Sequence, residues 1–320
     1  MTQAEPSAQT LAVMEKLAAD LAPIDAVAGL ADHYDQVTIE ALAEAEDRFG
    51  TPPSPYAWLA LGSHARREPS LASDQDNALV LAGDDDASKN YGDKLAAHVV
   101  ERLHEAGLRR CDGDYMATKW SYSLREWETI LRRRFIDPKP EDLLDADVFL
   151  DLRPLAGDLD VSSLQQIMVS AAGSARLLQG LAASAVKYPS GLGPFGRLRL
   201  SSGKIDLKKG GLAPLTMLAR TYSLAAGSTA VGTRERLGAA EAADQLSARA
   251  AGRLGMAHAL LTRLRMTNQL RCARAGDPVT DLVPPNRVRW VDERLLRSSL
   301  EAIREVQQAT ALRFRTDMQN

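Results

Sequence analysis

Residues 58–81 read Trp-Leu-Ala-Leu-Gly-Ser-His-Ala-Arg-Arg-Glu-Pro-Ser-Leu-Ala-Ser-Asp-Gln-Asp-Asn-Ala-Leu-Val-Leu. The stretch opens with an apolar run, residues 58–61, that stops at a Gly-Ser pair. It closes with a second apolar run, residues 78–81, that follows an Asp-x-Asp pair. Short apolar runs bounded by turn residues are typical of buried strands. We therefore expect two buried strands here, each with polar side chains at one end.

The two acids of this stretch have the spacing of a metal site. Side chains alternate faces along a strand, so Asp74 and Asp76 are expected to point the same way, about 6.6 Å apart along the chain. Such carboxylates can hold divalent cations, and two ions about 3.5–4 Å apart promote in-line phosphoryl or nucleotidyl transfer. By itself an Asp-x-Asp pair is more often a turn or a solvated pair, so the inference depends on its neighbours.

The Gly-Ser pair supplies the other half of this site. Gly62 has no Cβ, so the backbone can approach a phosphate, and the amides and the Ser63 hydroxyl can donate to its oxygens. Arg66 lies just beyond, where its guanidinium could bind phosphate with two hydrogen bonds. Gly-Ser at the end of one apolar run and Asp-x-Asp before the next together predict a combined phosphate and metal site.

These residues also carry a family resemblance. Gly62-Ser63-x-x-Arg66 followed by Asp74-x-Asp76 resembles the nucleotidyltransferase signature of the DNA polymerase beta superfamily. The fuller string, residues 62–78, is more narrowly similar to bacterial nucleotidyltransferases found behind cyclic-nucleotide-binding and CBS domains, which are relatives of PII uridylyltransferase and glutamine synthetase adenylyltransferase. The resemblance implies a stand-alone member, because this chain lacks those sensor domains.

The resemblance extends to two later segments. Residues 147–154, Asp-Val-Phe-Leu-Asp-Leu-Arg-Pro, form a short β-compatible run similar to the family's Asp-Leu-Arg motif, which implies that Asp151 is the third metal ligand and general base. Arg153 shares its face and is expected to orient Asp151 or contact phosphate. Asp112 and Asp114 are rival candidates for the third ligand. Residues 204–211 are similar to the family's Asp-Leu-Lys motif, which implies that Lys208 contacts nucleotide or acceptor.

Composition and periodicity set the expected architecture. The 320 residues are 45% apolar and 25% charged, enough for one large or two modest cores. We expect an α+β fold, with an N-terminal helical segment (1–50), a small mixed-sheet nucleotidyltransferase domain (51–160) and an all-α helical bundle that binds substrate (161–320). Apolar stripes at helical spacing predict long helices in the bundle at residues 163–187, 214–227, 241–275 and 292–318.

Charge and cysteine content limit the partners. The net charge is −3 and the pI near 6.0, so no overall field favours nucleic acid. The two cysteines have no metal-binding spacing and are expected to be reduced thiols in a cytoplasmic protein. No apolar run has the length of a membrane span, and no signal pattern begins the chain, so no membrane association is expected.

The resemblance implies a Mg²⁺-dependent nucleotidyltransferase. We expect it to use two Mg²⁺ ions, with Mn²⁺ as a substitute, and to move a nucleoside monophosphate from an NTP, with AMP from ATP favoured, to an acceptor hydroxyl with release of pyrophosphate. A protein acceptor is the first choice. A small-molecule acceptor and a non-catalytic nucleotide-binding regulatory module are the alternatives.

Overall fold

The computed structural model describes residues 5–136, 138–139 and 142–316, which form two compact units. The first unit comprises the chain up to Arg133 together with Val148–Ile167 and Gly276–Val279. The second comprises Arg134–Asp147, Met168–Ala275 and the chain from Thr280 onward. The boundaries expected at 50/51 and 160/161 stay a prediction, and residues 1–4 and 317–320 of the expected domains lie outside the described chain.

Six short strands lie in the first unit: β1 (Tyr56–Leu61), β2 (Asp74–Gln75), β3 (Asn77–Leu81), β4 (Arg109–Arg110), β5 (Ser121–Ser123) and β6 (Leu152–Gly157). Four of them form a sheet in the order β5-β3-β1-β6, in which β1 is antiparallel to β3 and β6, and β3 is parallel to β5. All residues of β1 and β3 are buried, which confirms the two strands expected from their apolar runs. β2 and β4 form a separate parallel pair.

The helices of the chain up to residue 149 are α1 (Ala8–Asp20), α2 (Pro23–Phe49), α3 (Gly62–Ala65), α4 (Asp86–Glu105), α5 (Leu124–Phe135) and α6 (Asp142–Phe149). α1 begins where the Ser7 side chain accepts a hydrogen bond from the Thr10 amide, and α2 begins with Pro23 in its first turn. The two helices confirm the helical segment expected before residue 51. α2 packs against α1 and α4.

The prediction of a strand at residues 147–154 is wrong for the first half of this segment. α6 continues to Phe149, Asp151 lies between helix and strand, and β6 begins only at Leu152. Ala146 and Phe149 are three residues apart on one helix face and are both fully buried, and Phe149 packs edge-on against Trp120 and Trp127. Burial of this face selects a helix over a strand.

The helices of the remaining chain are α7 (Ser162–Ser170), α8 (Ala175–Lys187), α9 (Ala213–Ala225), α10 (Thr233–Ala242), α11 (Ala248–Arg274) and α12 (Trp290–Phe314). Two short strands, β7 (Ile205–Asp206) and β8 (Leu282–Val283), pair antiparallel. α9 packs against α8, α10 and α12, and α11 packs against α12 around a leucine-rich core. This bundle confirms the expected α+β fold class. No helix of the described chain combines the length and hydropathy needed to span a bilayer.

Two of the long helices predicted for the bundle are interrupted. The helix expected at 163–187 stops before Ser174, whose side chain accepts from the Leu177 amide and starts α8. The helix expected at 241–275 begins only after Ser247, which caps α11 in the same way through the Ala250 amide. A serine hydroxyl competes with the backbone for the same amide hydrogen, so an apolar stripe alone does not show where a helix starts.

Candidate functional site

The candidate site is organised around the end of β1, where consecutive backbone amides donate to the residues that directly precede two different strands, β3 and β6. The Leu61 amide donates to the carbonyl of Asp76 at 3.0 Å, and the Gly62 amide donates to the carbonyl of Asp151 at 3.0 Å. Because β3 and β6 pair with opposite edges of β1, Asp76 and Asp151 flank the Leu61–Gly62 junction from both sides. The two acids are therefore brought next to the glycine turn.

Gly62 is held in a conformation and a space that only glycine accommodates well. Its φ of +56° lies in the left-handed region. A Cβ at this position would lie 2.7 Å from Oδ2 of Asp76, well inside van der Waals contact. The Asp76 carboxylate thus rests directly against the Gly62 backbone, and the place of a side chain is taken by a carboxylate oxygen.

The Asp76 carboxylate has a second neighbour, Cys111, which follows β4. Burial, and then the charge of Asp76, raise the pKa of the Cys111 thiol to about 12, so the thiol stays protonated and donates a hydrogen bond to Asp76. Asp74 lies in β2, two residues before Asp76, and pairs with Arg109 of β4. The rival ligands Asp112 and Asp114 lie exposed in the turn after Cys111.

Asp151 is completely buried, and its carboxylate forms an ion pair with Arg66, the residue that ends α3. The Arg66 guanidinium also donates to Glu68 at 3.0 Å. Arg66 therefore lies between two carboxylates, directly over the glycine turn. In this arrangement the charge of Asp151 is already compensated by a protein cation.

His64, inside the one-turn helix α3, is also buried. Burial lowers its pKa to about 4, against the raising effects of the Asp35 carboxylate and of Asp74. Its Nε2 has no hydrogen-bond partner among the described residues, and its ring lies 5.3 Å from that of Tyr34. His64 is therefore neutral at ordinary pH and forms part of the floor under the glycine turn.

Asn77, the first residue of β3, ties the Asp-x-Asp segment to the chain beside it. Its side-chain Oδ1 accepts from the backbone amide of Ala117 at 2.7 Å, and its backbone amide donates to the carbonyl of Tyr115 at 2.9 Å. Both hydrogen bonds are made by a side chain and backbone that are almost completely buried. These two hydrogen bonds therefore hold the chain in place directly after Asp76.

Arg153 and Lys208, two residues predicted to bind nucleotide, lie in different surroundings. Arg153 lies in β6 and donates to both carboxylate oxygens of Asp35 on α2, at 2.9 and 2.8 Å, and to the carbonyl of His64 at 3.2 Å. It thus braces α2 and α3 against the sheet. Lys208 lies exposed in the second unit at the start of a π-helical turn, Lys208–Leu212, where Asp206 accepts from the next amide, that of Lys209, at 2.7 Å.

The acids beside the glycine turn have the donor chemistry of a divalent-cation site in part. Asp74 and Asp76 offer the carboxylate oxygens that Mg²⁺ prefers, and Oδ2 of Asp76 occupies the space that a Cβ of Gly62 would fill. Within the described ranges, however, no group of three or more His, Cys, Asp or Glu side chains is arranged to hold a metal ion. The Asp-x-Asp pair fits a cation in its donor type, whereas Asp151 is paired with Arg66.

Sequence reasoning gave no role to several residues that shape this site. Cys111, His64 and Asn77 contact or support the Asp-x-Asp segment, and Asp35 binds Arg153 from a helix far away in the chain. His64 lies inside the signature string, and its small apolar neighbours Gly62 and Ala65 were the available hint that it is buried. Nothing in the sequence indicated the pairing of Asp35.

A small mixed sheet with a Gly-Ser turn after one strand and an Asp-x-Asp pair before the next defines the nucleotidyltransferase class that the signature led us to expect. A family model described as "Putative nucleotidyltransferase DUF294" matches residues 8–141, and one described as "Putative nucleotidyltransferase substrate binding domain" matches residues 175–314. The chain belongs to this nucleotidyltransferase family. No curated protein is similar enough in sequence to count as a match.

Proposed function

We propose that the chain is a Mg²⁺-dependent nucleotidyltransferase that moves AMP from ATP to an acceptor hydroxyl on a protein and releases pyrophosphate. The observation that carries the proposal is the pair of backbone hydrogen bonds from Leu61 and Gly62 to Asp76 and Asp151. They join the glycine turn to two acids, each of which directly precedes a neighbouring strand of the sheet. The family match supports nucleotidyl transfer in general; ATP, the metal and the acceptor are our proposal.

The residues of the turn would bind the triphosphate. Without a Cβ, Gly62 would let its backbone approach a phosphate beside the Asp76 carboxylate, and Ser63 would add a hydroxyl donor. Bound Mg²⁺, or Mn²⁺ in its place, would be held by Asp74 and Asp76, with Asp151 as the third ligand, and would offset the charge of the phosphates. Three carboxylates alone would repel a polyanion.

Arg66 has two competing anionic partners in this mechanism. A triphosphate carries more negative charge than the Asp151 carboxylate and accepts the guanidinium with two parallel hydrogen bonds. Nucleotide binding would therefore draw Arg66 from Asp151 onto phosphate. The freed Asp151 carboxylate would take the proton of the acceptor hydroxyl, whose oxygen bonds to the α-phosphorus as the bond to the pyrophosphate oxygen breaks.

Arg153 and Lys208 would act differently from each other. Arg153 is bound to Asp35, so its role would be to hold α2 and α3 in place beneath the turn. Lys208 is exposed and lies in the residues matched by the substrate-binding model, so its ammonium would contact nucleotide or acceptor. A small-molecule acceptor remains the second form of the same activity.

A second candidate is a non-catalytic nucleotide-binding regulatory module. The observation that favours it is the buried ion pair of Asp151 and Arg66, because a general base that stays paired cannot accept a proton. Under this function Mg·ATP would raise the unfolding temperature without any release of pyrophosphate.

The experiment incubates the chain with ATP labelled on its α-phosphate, Mg²⁺ and a cell lysate. Asp74→Ala/Asp76→Ala should abolish transfer, whereas Asp84→Ala/Asp86→Ala removes two exposed acids at the start of α4 and should not. Label on a protein band supports protein nucleotidylation, and label on a small molecule supports the alternative acceptor. Equal labelling by the wild type and the Asp74→Ala/Asp76→Ala variant would refute the transferase.

A further inference from the structure

The second unit contains an open groove of about 600 Å³ that has no part in the proposed chemistry. Its walls come from α9, α11, α12 and the link before α11. Tyr222, Leu246, Ala302 and Val306 form a floor that is almost completely buried. A volume of this size suits a small organic molecule rather than a single ion.

The rim of the groove is cationic. Arg249 and Arg253 lie in the first two turns of α11, and Arg313 lies in the last turn of α12. Arg253 is compensated by an ion pair with Glu305 across the groove.

The other two rim arginines have no carboxylate partner in the part of the chain that the structure describes. Arg313 donates to the backbone carbonyl of Gln245 at 2.7 Å, and its guanidinium lies 5.5 Å from the centre of the Tyr222 ring. Arg249 is exposed, and no ion pair among the described residues includes it. Within the described chain, the groove thus has two positive charges without a carboxylate partner above an apolar floor.

We propose that this groove binds a small organic anion with an apolar or aromatic body and a carboxylate or phosphate group. The body would cover Leu246 and Val306, and the anionic group would bind between Arg249 and Arg313. The ligand class follows from the groove alone. The lining residues all fall within the match to the substrate-binding model, so under the small-molecule form of the proposed function, on which this clause rests, the groove would carry the acceptor.

The test uses the full chain and compares two fluorescent probes that share the same aromatic ring system. 8-Anilinonaphthalene-1-sulfonate is anionic, and N-phenyl-1-naphthylamine lacks its sulfonate. We expect Arg249→Gln and Arg313→Gln each to weaken binding of the sulfonate about three- to tenfold and to change binding of the neutral probe less than twofold. Ala309→Trp, which fills the groove from an exposed position, should weaken binding of both probes.

The matched control is Arg271→Gln, which removes the same charge from an exposed position of α11 roughly 33 Å along the helix from Arg249. It should leave binding of both probes unchanged. The proposal is overturned if Ala309→Trp leaves sulfonate binding intact, if Arg271→Gln weakens it as much as Arg249→Gln, or if the arginine variants weaken both probes equally. The Asp74→Ala/Asp76→Ala variant should bind both probes normally although it has lost nucleotidyl transfer. A failure of the proposed function is therefore distinguishable from a failure of the groove proposal.

Discussion

Replacing Gly62 by alanine is expected to disable the candidate site while the chain still folds. The new methyl group would lie 2.7 Å from Oδ2 of Asp76, whereas ordinary contacts of a Cβ begin near 3.4 Å. The Asp76 carboxylate must therefore move by about 0.7 Å or rotate away from the turn. Because this carboxylate also accepts from Cys111, the shift disturbs that hydrogen bond as well.

The expected magnitude has two parts. A left-handed backbone costs a non-glycine residue roughly 1–2 kcal/mol, of which about 0.4–1 kcal/mol is offset because alanine restricts the unfolded chain. We therefore expect the free energy of unfolding to fall by about 1 kcal/mol. A displacement of a reacting group by about 1 Å costs on the order of 10²-fold in rate, so nucleotidyl transfer should fall roughly 30- to 100-fold.

Gly227→Ala is the matched control. Gly227 also has a left-handed φ, +69°, but nothing lies within 4 Å of its would-be Cβ. It should lose similar stability and keep full activity. Chemical denaturation gives the stability, and pyrophosphate release with Mg·ATP and lysate gives the activity. If the two variants are equally active, the packing of Asp76 on Gly62 has no role in the chemistry and the reasoning fails.

Three further predictions concern the surroundings of the turn. Burial keeps the folded-state pKa of His64 near 4, below its ordinary 6.5, so protonation favours the unfolded chain, and stability that is complete above pH 6.5 falls as the pH drops towards 4. His64 should thus cost the wild type about 2 kcal/mol between pH 7.5 and pH 5, measured by urea unfolding, and His64→Gln should remove that part of the pH dependence. Asp151→Asn leaves Arg66 without its buried counter-charge and should destabilise the chain by roughly 3 kcal/mol. A coupling near zero in a double-mutant cycle with Arg66→Met would contradict the ion pair. Asn77→Ala strips the buried Ala117 amide of its acceptor, so we expect a loss of about 1–3 kcal/mol, and an unchanged urea midpoint would argue against that hydrogen bond.

The local elements around the site could be predicted because their signals are local. The apolar runs before Gly62 and after Asp76 became β1 and β3, since a short apolar run bounded by turn residues favours a strand that is buried on both faces. Residues 83–86, Gly-Asp-Asp-Asp, lie at the start of α4, and Asp85 caps this helix by accepting from the Ser88 amide, as aspartates at this position commonly do. The roles of Gly62, Asp76 and Asp151 stay predictions.

The partners of the charged side chains could not be predicted in the same way. Arg66 was predicted to bind phosphate, and Arg153 to orient Asp151 or contact phosphate. The sequence did not indicate that Arg66 pairs with Asp151 and Arg153 with Asp35. Asp35 lies on α2, and nothing in its helical pattern separates it from the solvated acids of that helix. A charge chooses its partner through three-dimensional proximity, which hydrophobic periodicity does not encode.

The register of the sheet explains how acids from distant parts of the chain reach one turn. Asp76 and Asp151 are positioned by the β1–β3 and β1–β6 pairings, in which Ala60 lies opposite Asn77 and Leu61 opposite Leu152. A slip of one residue would turn each buried apolar side chain to the other face, so the core fixes the register. The same apolar packing therefore sets where the two carboxylates meet Gly62. The chemistry at the edge of the sheet depends on residues that never touch a substrate.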